Sequence, residues 1–465
     1  MKKYDLVVIG GGPAGTPVAM EFAKLNPDKK VLLVDKNGAL GGECLFEGCI
    51  PSKIMEIISE NSKDWDEIKQ KKKEILDRRS ADAIKNLLAL RNVEILKAEA
   101  KFFASHAIIA NDEVIEFEKC VIGVGSIPNK LNYEGNGIDK VWSNVDFFEK
   151  MELPKNLSII GTGAIAIEFT QILANLGVKI NLFSHSDTIL KRVDNDAKEL
   201  VLNELKNNPN INLIFNAKIS KIDFENEQFT IEYTQQNETK TINSHRVLAA
   251  IGRHANIENL DLDKANVKYD KFGIIVDKHL QTTNKNIYAN GDVAKGFPKF
   301  AHTAFFGAHT IAQNLFLNHN LFDINFDKNS WVLFSTPNIA TSGIDENEAK
   351  KRGIDIITDK YYFNIDAKAQ ISNSDNGFLK FIVEKKSNKI IGVVIVNKDA
   401  NQIAGEAALI VSKGLKLSDL VNTIHPHPTL SESFSNLAKQ MMGKIVLEKL
   451  KNPAIKTLLE IERFI

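Results

Sequence analysis

A chain of 465 residues exceeds the roughly 250 to 300 residues at which one hydrophobic core stops growing, so two to four domains are expected. Its 43% hydrophobic and 25% charged residues are those of an ordinary globular protein, and a formal net charge of zero gives no electrostatic case for nucleic acid or an anionic membrane as a partner. No apolar run approaches the roughly 18 residues that span a bilayer, the first strand starts too early to leave room for a signal peptide, and three cysteines do not make a secreted disulfide framework; a cytoplasmic protein is expected.

The first element is a strand, Leu6 to Ile9 in YDLVVIGGGPAG, which runs into Gly10, Gly12 and Gly15 and then into the helical pattern of Val18, Ala19, Phe22 and Ala23. Strand, glycine turn and helix in this order bring a pyrophosphate close to free N–H groups and the positive end of a helix dipole. Twenty residues after Gly15, Asp35 ends the strand VLLVD, where a carboxylate would accept hydrogen bonds from an adenosine ribose. Residues 41 to 53, GGECLFEGCIPSK, then place Cys44 and Cys49 five positions apart behind two glycines. In a reducing compartment so close a pair is catalytic more often than structural.

The lysine-rich helical stretch between residues 56 and 90 reads as a solvated face, and Cys120, within KCVIGVG, reads as a buried strand residue. The dinucleotide pattern recurs in LSIIGTGAIAIE at 157 to 168, with Gly161 and Gly163 in place and Ala166 where a third glycine often stands. Two such folds imply two dinucleotides. From about residue 336 the pattern changes to strands such as FLKFIVE and KIIGVVIV followed by helices. HPHPTLSE, residues 425 to 432, brings His427 and Glu432 together, and thiol exchange needs a proton carrier that titrates near neutrality. After Pro453 the tail is amphipathic at helical spacing.

On GGECLFEGCIPSK, the two glycine fingerprints and HPHPTLSE, the chain resembles the pyridine nucleotide-disulfide oxidoreductases, closest to the dihydrolipoamide dehydrogenase branch, over essentially its whole length. The resemblance implies an α/β fold with two Rossmann-like domains and a C-terminal α+β dimerisation domain. Residues 1–145 would be the first part of an FAD domain, 146–270 the NAD(P) domain, 271–335 the return to the FAD domain and 336–465 the dimerisation domain. It assigns FAD to the first fingerprint and NAD or NADP to the second. It makes Cys49 the sulfur that meets the flavin and Cys44 the interchange thiol, with His427 and Glu432 of one subunit serving the disulfide of the other in a homodimer. Lys53 and Glu168 match the ion pair beside the flavin, and Asp292 in YANGDVA matches its ribitol contact. Further cofactor contacts fall on Lys36, Gly42, Ala100, Gly125, Gly252 and Ala301, and no metal ligands are implied. The substrate is a small dithiol or disulfide, or a lipoyl group.

The chain departs from the pattern at Pro17, Val124, Ala255 and Asn338. Glu43 stands where threonine is common, and its charge is expected to oppose thiolate formation on Cys44. NAD-specific members also carry an acid at the end of the second strand of the second fold, where VKINLFSHSD has Ser184. His185 and Lys191 fall where glutathione reductases place two arginines. A unit charge pair at about 4 Å and an effective dielectric of about 20 is worth roughly 4 kcal/mol before desolvation, enough to set a preference. NADPH is therefore favoured, with NADH or dual use as the other outcome. If so, the alternative activity is an NADPH-dependent reductase of glutathione or another small disulfide; a purely structural flavoprotein would have no need for Cys44, Cys49, His427 and Glu432 together.

Overall fold

A computed structural model describes residues 2–451, so the amphipathic segment expected after Pro453 lies outside the described residues. The chain groups into two units. One comprises residues up to Ile189 with Asn208–Phe326; the other comprises Leu190–Asn207 with the described residues from Asp327 on.

The first unit opens with β1 (Lys2–Ile9), whose Leu6, Val7 and Val8 have no solvent exposure, as a central parallel strand covered on both faces requires. It leads through the glycine turn to α1 (Thr16–Leu25) and back to β2 (Val31–Asp35). Pro17, a departure from the family pattern, sits in the first turn of α1, where its missing N–H has no intrahelical acceptor to lose. Two short helices follow, α2 (Gly42–Phe46) and α3 (Cys49–Ser59), then the long α4 (Trp65–Leu88), capped by the Asp64 carboxylate accepting from the amides of Asp66 and Glu67. Next come β3 (Val93–Lys97), β4 (Ala100–Ala104), β5 (Ala107–Ala110) and β6 (Glu113–Ile122). The resulting sheet has the order β3-β2-β1-β6-β5-β4, parallel from β3 to β6. Cys120, in β6, is fully buried.

Beyond β7 (Ser126–Pro128) and α5 (Asn144–Lys150) the motif repeats: β8 (Asn156–Ile160), α6 (Ala164–Asn175) and β9 (Lys179–Phe183). Helix α7 (Asn195–Asn207) belongs to the second unit, while β10 (Ile211–Ile214) pairs with β9. A three-stranded antiparallel meander follows, β11 (Lys218–Glu225), β12 (Gln228–Gln235) and β13 (Glu238–Ser244), and β14 (Arg246–Ala249) completes the second parallel sheet in the order β10-β9-β8-β14. Strand β15 (Arg253–Ala255) pairs with β7, the small hairpin β16 (Tyr269–Asp270) and β17 (Gly273–Ile274) follows, and β18 (Ile287–Ala289) returns to pair in parallel with β6. Helix α8 (Ala301–Leu317) packs against α1.

The second unit is built on an antiparallel sheet of β19 (Ser330–Leu333), β20 (Asn338–Gly343), β21 (Ile356–Tyr362), β22 (Phe378–Glu384) and β23 (Ile390–Asn397) in the order β19-β20-β23-β22-β21. Helix α9 (Glu346–Lys351) follows β20, and α10 (Ala367–Ile371) lies between β21 and β22. Helices α11 (Ala400–Lys413), α12 (Leu417–Val421) and α13 (Glu432–Leu450) end the described chain. Ile403, Ala407 and Ile410 of α11 and Phe434, Leu437 and Met441 of α13 share one core with β22 and β23. Within that apolar strand β22 the buried Lys380 ammonium donates to Asp194 at 2.7 Å, Asp196 at 3.1 Å and Glu346 at 2.9 Å, which ties α7 to the sheet. Among the described residues no helix is long and apolar enough to cross a membrane.

Candidate active site

The first glycine turn is fixed by contact. A Cβ on Gly15 would meet the Gly10 carbonyl oxygen at 2.0 Å, and one on Gly10, whose φ is +107°, would meet the Gly123 oxygen at 2.4 Å. Asp35 accepts from the amide of Gly11 at 2.8 Å and from those of Asn37 and Gly38 at 2.9 and 3.0 Å, so its carboxylate is anchored at the mouth of the turn. Gly42 and Gly12 approach so closely that a Cβ on Gly42 would lie 2.7 Å from the Gly12 Cα. No side chain caps α1. These are the features of a cradle for a dinucleotide pyrophosphate, and they fit FAD.

Lys36 is exposed just past β2, Gly125 precedes β7 with φ of +72°, Ala301 opens α8, and Ala98, two residues before Ala100, donates its amide to the Asp35 carbonyl at 3.0 Å. Asp292 accepts from the Ser126 hydroxyl at 2.7 Å.

At the second turn Gly161 has φ of +119°, Gly163 stands before α6 in open space, and α6 has no side-chain cap. Its free N–H groups fit a second pyrophosphate. Gly252, φ +101°, precedes β15. Ser184 is buried rather than presented to solvent: its hydroxyl donates to the Thr188 carbonyl at 3.2 Å and accepts from the Ser186 amide at 3.2 Å, which closes the turn after β9. His185 is exposed on that turn, and Lys191 lies in the segment that groups with the second unit.

Cys44 lies within α2 and Cys49 opens α3, and their thiols are hydrogen-bonded to each other. This bond splits their acidities. The Cys49 thiol is lowered because Cys44 donates to its sulfur, with help from its own helix-terminal amide and from Lys53 against the effect of burial. Cys44 is raised strongly by the same bond and then by burial. Lys53, one turn along α3, donates to Glu168 of α6 at 2.8 Å and lies 3.3 Å from Glu56. Glu56 went unnoticed in the sequence; burial raises its pKa.

Glu43, next to Cys44, is a paired carboxylate. It forms an ion pair with Arg253, and Asn144 donates to its other oxygen at 2.9 Å. No local sequence pattern signals these partners, which stand 101 and 210 positions away from Glu43.

In the second unit the Nδ1 of His427 faces both oxygens of Glu432 at 3.0 Å, and Glu432 also accepts from the Thr429 amide at 3.0 Å. That amide, then the histidine, lowers the pKa of Glu432. The His427 side chain is 71% exposed, leaving its other nitrogen free of the carboxylate. His425 forms a second pair, with Glu406 at 2.8 Å, but is buried. Among the described residues no group of three or more His, Cys, Asp or Glu side chains could hold a metal.

Comparison with known proteins gives the family. Residues 4–308 match the family model for pyridine nucleotide-disulphide oxidoreductases, and residues 329–438 match the dimerisation domain of that family. The chain is similar to dihydrolipoyl dehydrogenase of Buchnera aphidicola from Baizongia pistaciae, at 33% identity over 96% of this chain and 97% of the relative. It is also similar to that of Bacillus subtilis, at 30% over 94% and 96%. Among solved structures it resembles the HOCl-induced flavoprotein disulfide reductase RclA of Escherichia coli in its Cu(II) complex, with a TM-score of 0.86, 26% identity, and coverage of 95% of this chain and 100% of the other.

Proposed function

Because this chain belongs to the pyridine nucleotide-disulphide oxidoreductase family, we propose that Cys44 and Cys49 are its redox pair and that His427, held by Glu432, is the acid-base group. The enzyme is an FAD-dependent disulfide oxidoreductase of dihydrolipoyl dehydrogenase type that uses NAD(P)H. The observation that carries the residue assignment is the thiol pair itself, two sulfurs in one hydrogen bond with opposite shifts in acidity.

The exchange follows from those shifts. A substrate dithiol gives up one proton to His427, and its sulfur bonds to Cys44 Sγ as the Cys44–Cys49 bond breaks. Cys49 leaves as a thiolate, which its own amide at the start of α3 and the nearby Lys53 ammonium favour. The second substrate sulfur gives its proton to solvent and displaces Cys44, whose raised pKa means that it must take a proton on leaving. His427 is the group suited to return one. The substrate is now a disulfide, and its two electrons rest on the cysteine pair. Bound FAD supplies the two-electron exchange between this pair and NAD(P)H. The Gly10–Gly15 turn, Asp35, Lys53, Glu168 and Asp292 would hold it, and Gly161, Gly163 and α6 would hold the nicotinamide nucleotide.

The dimerisation domain supports a homodimer, and the pair of one subunit is proposed to work with His427 and Glu432 of the other. A lipoyl or related small dithiol is the proposed substrate. The absence of an acid at the end of β9 supports NADPH over NADH. The test is the initial rate of lipoamide reduction by the FAD-loaded enzyme with NADH and NADPH in parallel. Fast turnover supports the lipoyl reading and ranks the nucleotides. Negligible turnover with both would redirect the assignment to glutathione or another small disulfide.

A further inference from the structure

Helix α2, which carries Cys44, has only five residues, far fewer than an isolated helix needs to hold itself. Its anchors come from distant parts of the first unit. The side-chain amide of Asn144, at the start of α5 and 7% exposed, donates to the Glu43 carboxylate at 2.9 Å and to the Glu47 carbonyl at 2.8 Å. It thereby grips both ends of the helix with Cys44 between them.

The other Glu43 oxygen pairs with Arg253 of β15. That guanidinium donates in turn to the Asn144 oxygen at 3.1 Å, to the Ser126 hydroxyl at 2.9 Å and to the Ser126 carbonyl at 2.7 Å. The Ser126 hydroxyl donates in turn to the Asp292 carboxylate at 2.7 Å. Asp292, Ser126, Arg253, Asn144 and Glu43 therefore form one unbroken chain of hydrogen bonds that ends beside the interchange thiol.

We propose that Glu43 is a positioning residue: through Asn144 and Arg253 it fixes helix α2 and so holds Cys44 within bonding reach of Cys49. This rests on the redox-pair reading above. Holding two thiols together raises their effective concentration toward each other, which stabilises the disulfide and lowers its reduction potential.

The experiment equilibrates the FAD-loaded enzyme in dithiothreitol buffers of known potential, alkylates the free thiols and reads the redox state of Cys44 and Cys49 by mass spectrometry. Glu43→Ala is expected to weaken disulfide closure about tenfold, which raises the midpoint by about 30 mV. Glu43→Gln, which keeps an acceptor for Asn144, is expected to shift it less. Asn144→Ala should shift it in the same direction, and the double variant Glu43→Ala with Asn144→Ala no further than the larger single, because both break one link.

An unchanged midpoint in Glu43→Ala overturns the proposal even if thermal stability falls, and so do fully additive shifts. If Glu43→Ala gives no folded holoenzyme, Glu43→Gln and Asn144→Ala decide: a rise in both supports the clamp and no rise in either overturns it. A wild-type enzyme whose Cys44 and Cys49 never interconvert with a disulfide would instead remove the redox-pair reading, a result distinct from a pair that titrates normally but ignores Glu43.

Discussion

Cys44 and Cys49 are chemically alike in the sequence and unlike in the fold, because one donates the hydrogen bond that the other accepts. In the reduced enzyme the ultraviolet absorbance of thiolate is therefore expected to rise in two well-separated steps. Cys49 ionises below the usual cysteine range of about 8.5 and Cys44 well above it. The sign is fixed by the shifts: as pH falls through the lowered Cys49 pKa its thiolate is lost, while raising pH past neutrality leaves Cys44 still protonated. A single merged step would contradict the hydrogen bond. Cys49→Ser is expected to abolish lipoamide turnover while leaving FAD bound. His427→Gln should slow turnover by about 10²- to 10⁴-fold, the usual worth of a positioned acid-base group. Unchanged turnover in the serine variant would remove the thiol mechanism altogether.

Elements show where the sequence was readable and where it was not. The glycine turns could be read because each glycine answers a local steric demand, and their helices follow within a few residues. Gly15→Ala tests this: with the Gly10 oxygen 2.0 Å from the new Cβ, the variant is expected to lose FAD on purification, measured as the flavin-to-protein absorbance ratio. The bracing of α2 could not be read, since Asn144 and Arg253 stand 101 and 210 positions from Glu43 and nothing in a local pattern joins them. Nor did FLKFIVE disclose that its lysine is buried and paired with three carboxylates. Lys380→Met is expected to strand the Asp194 carboxylate, only 10% exposed, and to cost about 3 kcal/mol, at the low end for a broken buried pair because Asp196 and Glu346 reach solvent. The check is a lower urea midpoint that high salt does not restore.

For the molecule as a whole, the architecture was legible because two fingerprints and one histidine motif each carry a physical requirement, and the two family matches cover the same stretches. The nucleotide preference was less legible: Ser184 stands where NAD-specific members carry an acid, and its hydroxyl is buried in the turn after β9. If the catalytic groups of two subunits combine, mixing Cys49→Ser dimers with His427→Gln dimers under exchange conditions should restore about a quarter of the sites, because half of the re-formed dimers are mixed and each has one intact site. No recovery would place both groups in one chain. Cys120 adds a use of a different kind. Sealed within β6 and held protonated by burial, it is invisible to alkylating reagents while the first sheet stands. A third labelled sulfur would therefore appear only when that sheet opens. Pulse labelling of the reduced enzyme thus times unfolding from inside, with Cys49 as the fast count and Cys120 as the count that waits for the core.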